Sequence, residues 1–306
     1  MSVIVFGSIN MDLVARTPRI PAPGETLIGH KFETIPGGKG ANQAVAVARL
    51  GIPTQMVGRV GNDTFGQELL QGLRTSDVGC DYVLTDQTTH SGVALITVDD
   101  ASENNIVIIP GANGLVDHTD VERLHPLLSQ AKVLLLQLEV PLDAVVAAAQ
   151  AAKQAGVTVI LDPAPARTDL PAALYSLIDI VTPNQVETGQ LVGFPVTDLE
   201  TARKAATVLH GWGVGAVITK LGKRGALCMA QTESFEIPAF PVKAVDTVAA
   251  GDAFNGGLAA GLASGMTLRQ ASKQASAVAA LSVTKAGAQP SLPTRAELDT
   301  FLAERN

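Results

Sequence analysis

The stretch Asp246-Thr247-Val248-Ala249-Ala250-Gly251-Asp252 puts a carboxylate directly after a run of small residues, at the head of an alanine- and glycine-rich helix pattern. A helix start offers unpaired backbone N–H groups, and the helix dipole adds partial positive charge, so an anion can settle there. A carboxylate held beside a transferring phosphoryl group can take the proton from an attacking hydroxyl. Asp is also a favoured N-cap, and these residues alone allow that plainer role.

Three other groupings carry polar chemistry. Gly37-Gly38-Lys39-Gly40-Ala41-Asn42 is a glycine-rich turn opening a helix. No Ser or Thr follows its Gly-Lys pair, so it is not a phosphate-binding loop of the GxxxxGK[ST] type. With Asn10 and Asp12 after the first strand, Lys39 and Asn42 offer donors and acceptors suited to a polyhydroxylated ligand. Thr182-Pro183-Asn184-Gln185-Val186-Glu187 follows an apolar strand and opens a helix, with Pro183 suited to its first turn. Asn184 and Glu187 fit an ordinary helix start, or a pair ordering water around a magnesium–phosphate complex. Lys220-Leu221-Gly222-Lys223-Arg224-Gly225 ends another strand in a tight turn that a nucleotide could approach.

Some chemistries are disfavoured. His30, His90, His118, His125 and His210 have no metal-ligand spacing, and no Gly-x-Ser-x-Gly elbow marks a serine nucleophile. Cys80 and Cys228 form no disulfide framework or Cys-x-x-Cys site. A net charge of −7 without a basic run argues against nucleic acid as partner. The start Met1-Ser2-Val3-Ile4-Val5-Phe6 reads as a strand rather than a signal peptide or membrane span. A soluble, cytoplasmic protein is expected.

The elements that must position these residues alternate. Apolar runs at 3–6, 55–60, 133–138, 157–161, 178–181 and 216–218 read as buried strands. Helical patterns fall between them at 41–50, 65–74, 142–155 and 199–211, and three more follow from Gly251, Leu268 and Pro293-Thr294. This rhythm predicts an α/β fold with a mostly parallel sheet covered on both faces. Aromatic content of 4% leaves the packing to Ala, Val, Leu and Ile. Two segments, 12–36 and 90–110, break the rhythm. The second reads as a hairpin with a polar turn at 99–105, and together they predict a small β lid on a single domain spanning 1–306.

In order and spacing these motifs resemble the ribokinase-like carbohydrate kinase family. The resemblance runs from Gly7-Ser8-Ile9-Asn10-Met11-Asp12 and the Gly37–Ala44 loop through Asn184-x-x-Glu187 and Gly222-x-x-Gly225. It continues through Asp246–Asp252 to Gly287-Ala288-Gln289-Pro290-Ser291. It implies a three-layer αβα sandwich with a small β-sheet lid, and ATP-dependent phosphorylation of D-ribose at the 5-hydroxyl. A kinase of fructose, deoxyribose or adenosine, or a non-catalytic sugar sensor, are the alternatives. It further implies that Asp252 is the base, and that the N–H groups of Ala249, Ala250, Gly251 and Asp252 form an anion hole. Asn10, Asp12, Gly38, Lys39, Asn42 and Glu139 would hold the sugar. Asn184, Lys220, Gly222, Gly225 and Gly251 would meet the nucleotide. Asn184 and Glu187 would place hydrated Mg²⁺, while Asp246, Val248, Ser282, Lys285, Gly287 and Ser291 would bind K⁺. The lid would also join a homodimer. Two residues depart from the common pattern: Ala249 stands where many relatives have Gly, and Lys220 where many have Thr.

Overall fold

The computed structural model describes residues 2–101 and 103–305. Ser102, in the expected turn at 99–105, lies outside the described residues. The chain opens with β1 (Ser2–Phe6), β2 (Asn10–Thr17), β3 (Lys31–Gly37), α1 (Lys39–Arg49), β4 (Thr54–Gly61) and α2 (Thr64–Thr75). Next come β5 (Val78–Asp86), β6 (Gly92–Asp99), β7 (Asn104–Ile109), α3 (His118–Leu128), β8 (Ala131–Leu136) and α4 (Leu142–Gln154). Then follow β9 (Thr158–Leu161), α5 (Ala172–Tyr175), β10 (Ile180–Val181), α6 (Gln185–Val192) and α7 (Leu199–Gly211). The last elements are β11 (Ala216–Lys220), β12 (Ala226–Ala230), β13 (Ser234–Ile237), α8 (Ala250–Ala263), α9 (Leu268–Ser282) and α10 (Arg295–Ala303).

The large sheet has the order β13-β12-β11-β10-β9-β8-β1-β4-β5. It is parallel from β5 to β11 and antiparallel at the β12–β13 edge. Successive side chains of a strand point to opposite faces. Accordingly Val3 and Val5 pack into one core with α1, α8 and α9, while Ile4 and Phe6 pack into another with α3 and α4. Helices therefore cover both faces, giving three layers.

Strand order runs away from the β1–β8 pair in both directions, making that pair a switch point. Open α/β sheets bind ligands outside the carboxyl ends of their strands at such a point. The residues just past β8, β9 and β10, and the last residue of β11, are the polar ones that the site requires: Glu139, Asp162, Asn184 and Lys220.

A second sheet, in the order β3-β2-β6-β7, branches from the end of β1. Asn10 pairs in register with Gly92 and Gly37, so both irregular segments meet at one base. The strand expected at 178–181 shrinks to two residues, and Leu138 lies beyond β8. Pro183 stands before the cap of α6 rather than in its first turn, because Asn184 takes the cap position.

Candidate active site

Asp252 lies in the first turn of α8 and does not cap it. The cap position belongs to Ala249, whose φ of 60° and ψ of 10° put it in the left-handed region. That conformation strains a residue with a Cβ and is the one that favours Gly. The turn carries Asp252 inward, where its buried carboxylate accepts from Asn42 Nδ2 at 2.9 Å and Gln43 Nε2 at 3.1 Å. Burial pushes its pKa up to about 6, opposed by the nearby Lys39 ammonium and by the two amide donors, while Asp162 adds to the rise.

The N–H groups at this helix start are not all free. Ala250 N–H donates to the Thr247 carbonyl at 3.2 Å. This corrects the expected four-donor set, because the tight turn at Ala249 folds Ala250 back on Thr247. Among the described residues, the N–H groups of Ala249, Gly251 and Asp252 meet no acceptor.

The sugar-side residues gather where β1, β2 and α1 meet. Asn10 is buried, and its Oδ1 accepts from Asn113 Nδ2 at 2.7 Å. Asn113 is itself locked by a bond to and from the Ile9 backbone. The Asn10 acceptor is therefore engaged, and its Nδ2 remains to meet a ligand. Gly38 has φ 88°, and a Cβ there would lie 2.7 Å from Asn10 N, so the loop needs glycine to close on this strand.

Asp12 is raised to about 7 by burial, then by Glu139 and Asp252, against the pull of Lys39. For Lys39, burial pushes downward, but Asp252, Asp162, Glu139 and Glu187 together hold it above the usual lysine value. Lys39 is thus a charged ammonium ringed by acids. Glu139 has an internal task as well: its Oε2 accepts from Ser8 Oγ at 2.5 Å and from Lys39 N at 3.1 Å. It caps α1 across 100 residues of chain, since Gly38 has no side chain to do so.

A cleft of about 790 Å³ adjoins Asp252 and is lined by Lys39, Asp162, Asn184, Glu187, Lys220, Gly222, Gly225 and Gly251. Its far wall is apolar, with Phe240, Val242, Ala279, Ala280 and Val283. Lys220 Nζ donates to Asp162 Oδ1 at 3.1 Å. It also stands 3.3 Å from the place a Cβ on Gly251 would occupy, at the head of α8. Gly222 and Gly225 flank a short 3₁₀ turn, both at positive φ.

Asn184 and Glu187 form a reciprocal cap. Asn184 Oδ1 accepts from Glu187 N at 2.9 Å, and Asn184 N donates to Glu187 Oε2 at 2.7 Å. The plainer reading of this pair is therefore present in the fold. Glu187 Oε1 remains available on the cleft, and burial raises this carboxyl above its ordinary value. One available carboxylate oxygen suits contact with the water shell of an ion more than direct coordination.

Asp246 joins the loop before α8 to the loop after α9: its oxygens accept from Val248 N at 3.0 Å and Gly287 N at 2.9 Å. Ser282 and Ser291 are buried and donate their hydroxyl protons to Ala279 and Ala288 carbonyls. Lys285 turns its ammonium to Glu297 at 2.5 Å, leaving its carbonyl as the group for any ion here. One carboxylate plus main-chain oxygens fits a weakly hydrated monovalent cation. Among the described residues, no group of three or more His, Cys, Asp or Glu could hold a metal directly.

Asp162, Gln43 and Asn113 complete the site and were missed from the sequence. Asp162 had the same signal as Glu139, a charge just after a buried apolar strand. Gln43 and Asn113 gave none, because an amide reveals its partners only in three dimensions.

The comparisons agree over the whole chain. The family model of pfkB family carbohydrate kinases matches residues 1–295. Ribokinase of Haemophilus influenzae is 42% identical over 301 residues, covering 98% of each chain. Deoxyribokinase of Salmonella typhi is 38% identical over 303 residues, covering 99% of each. The structure of Arabidopsis thaliana ribokinase complexed with ribose and ATP superimposes with a TM-score of 0.91 at 34% identity, with 98% of each chain covered. By its sequence, its layers and its strand order, this chain belongs to the pfkB family of carbohydrate kinases.

Proposed function

We propose that this protein transfers the γ-phosphoryl group of ATP to the 5-hydroxyl of D-ribose. The observation that carries the reading is the place of Asp252: buried, held by two amides, and standing between the Asn10–Asp12–Lys39–Asn42 cluster and the cleft at the head of α8. The likeness to ribokinases supports ribose as the sugar.

In this reading Asn10, Asp12, Gly38, Lys39 and Asn42 hold the sugar hydroxyls, with Glu139 anchoring the loop that carries three of them. Asp252 takes the proton of the attacking hydroxyl as the new P–O bond forms. Its pKa of about 6 leaves it largely ionised at neutral pH yet basic enough to accept the proton. The free N–H groups of Gly251 and Asp252, with the Lys220 ammonium, face the charge on the transferring oxygens. Lys39 balances the surrounding acids. ATP occupies the cleft, its base against the Phe240–Val242 wall. Hydrated Mg²⁺ near Asn184 and Glu187 would neutralise the phosphates, and K⁺ on the Asp246 loop would stiffen the turn that feeds α8. The retained base favours an enzyme over a sugar sensor.

The test is ADP formation with ribose, 2-deoxyribose, fructose and adenosine, with and without Mg²⁺ and K⁺. Ribose should be the best acceptor, Mg²⁺ essential, and K⁺ stimulatory. Efficient turnover of fructose or adenosine with little on ribose would overturn the assignment.

A further inference from the structure

Two buried carboxylates, Asp252 and Asp162, share one neighbour. Gln43 is wholly buried, and its Nε2 donates to Asp252 Oδ1 at 3.1 Å and to Asp162 Oδ2 at 3.1 Å. A primary amide has two N–H groups, and here each goes to a different acid. Its Oε1 accepts from Gln137 Nε2 at 2.7 Å. Turning the amide over would set Oε1 against two carboxylate oxygens, so only one orientation is stable. Asp162 in turn holds Lys220, whose ammonium lies at the head of α8. A continuous series therefore links the base to the cation on the phosphoryl side: Asp252, Gln43, Asp162, Lys220.

We propose that Gln43 is a positioning residue for phosphoryl transfer, holding Asp252 ionised and in fixed relation to the Asp162–Lys220 pair. The inference rests on the role given to Asp252 above. Several charged groups bear on that carboxylate: Lys39 on α1, Asp12 on β2, Asp162 after β9, and, acting through Lys39, Glu139 and Glu187. Gln43 is neutral, so it acts by donating hydrogen bonds. Without it the two acids would repel each other directly, and Asp252 would keep its proton to higher pH.

The experiment compares wild type with Gln43→Met, close in shape but without donors, and Gln43→Asn, one carbon too short to reach both acids. Asp162→Asn serves as an opposing control. Loss of a hydrogen bond to a charged group is worth about one pH unit or more in ionisation. The acid limb of kcat/KM should therefore move up by about one unit in both Gln43 variants. At pH 7 that shift alone about halves the ionised base, and the lost alignment should bring the fall in turnover to about tenfold, with KM for the sugar changed less than about twofold. Asp162→Asn should move the limb down, since a repelling charge is removed. ¹³C-carboxyl titration of Asp252 without substrate should show the same shifts. That readout stands even if the sugar is not ribose, so failure of the substrate assignment is distinguishable from failure of the inference. A folded Gln43→Met or Gln43→Asn protein with an unmoved limb and an unmoved Asp252 titration would reduce Gln43 to a packing residue and overturn the proposal.

Discussion

At the residue scale, the site concentrates acids that the rest of the fold would avoid. Asp12 shows the consequence. Burial, then Glu139 and Asp252, push its carboxyl up to about 7 from an ordinary value of 3.8. A raised folded pKa means the native state binds the proton more tightly, so this stability is present at acid pH and is lost as pH rises through about 7. Asp12→Asn should therefore raise the melting temperature most at pH 8, with the gain shrinking as pH falls toward 4. Sugar affinity should fall at the same time. Thermal melts across that range, with a sugar titration, check both halves; no gain at pH 8 would contradict the electrostatic picture. Asp12 was legible from its place after the first strand and Lys39 from its glycine-rich turn, whereas Asp162, just past the end of β9, was missed. Asp252 as a mere cap was not excluded by sequence, because only the left-handed turn at Ala249 moves it past the cap position.

At the element scale, α8 is placed by the absence of side chains. A Cβ on Gly256 would stand 2.3 Å from Ala46 Cβ on α1, and a Cβ on Gly257 or Gly261 would stand 2.9 Å from the Cα of Ala275 or Ala271 on α9. Small residues let the backbones approach, which brings Asp252 within reach of Asn42 and Gln43. Gly256→Ala should cost about 1–3 kcal/mol through overpacking. It should also lower turnover by displacing α8 from α1. Denaturant unfolding and steady-state kinetics on one preparation would test this, and a loss of stability without loss of turnover would separate packing from catalysis. Long periodic helices such as α7 were readable to the residue. The strands β5, β12 and β13 and helix α3 were not read. β5 mixes polar and apolar residues along a half-exposed edge, β12 and β13 are short, and α3 carries Pro126 in its interior.

At the scale of the whole molecule, the small sheet stands out from the body with apolar groups uncovered. Phe32, Leu95 and Val107 are 65%, 46% and 57% exposed. The registers Ala15↔Phe32 and Leu95↔Val107 place all three on the face opposite Asp12. β7 is an edge strand of this sheet, with no strand beyond it among the described residues. We propose that this face joins two copies of the chain while the other face closes over the sugar. On that proposal wild type should sediment as a dimer at micromolar concentration and Leu95→Lys with Val107→Lys as a monomer; a wild-type monomer there would contradict it. Among the described residues no helix is long and apolar enough to cross a membrane. Asp12 on the small sheet, Asp162 just past the end of β9 and the head of α8 all bear on Asp252, so the most direct measurement is Asp252→Asn, with ribose binding by calorimetry beside turnover in an ADP assay. Turnover should drop by about 10²–10⁴ while the sugar still binds. Turnover that survives the substitution would contradict the account.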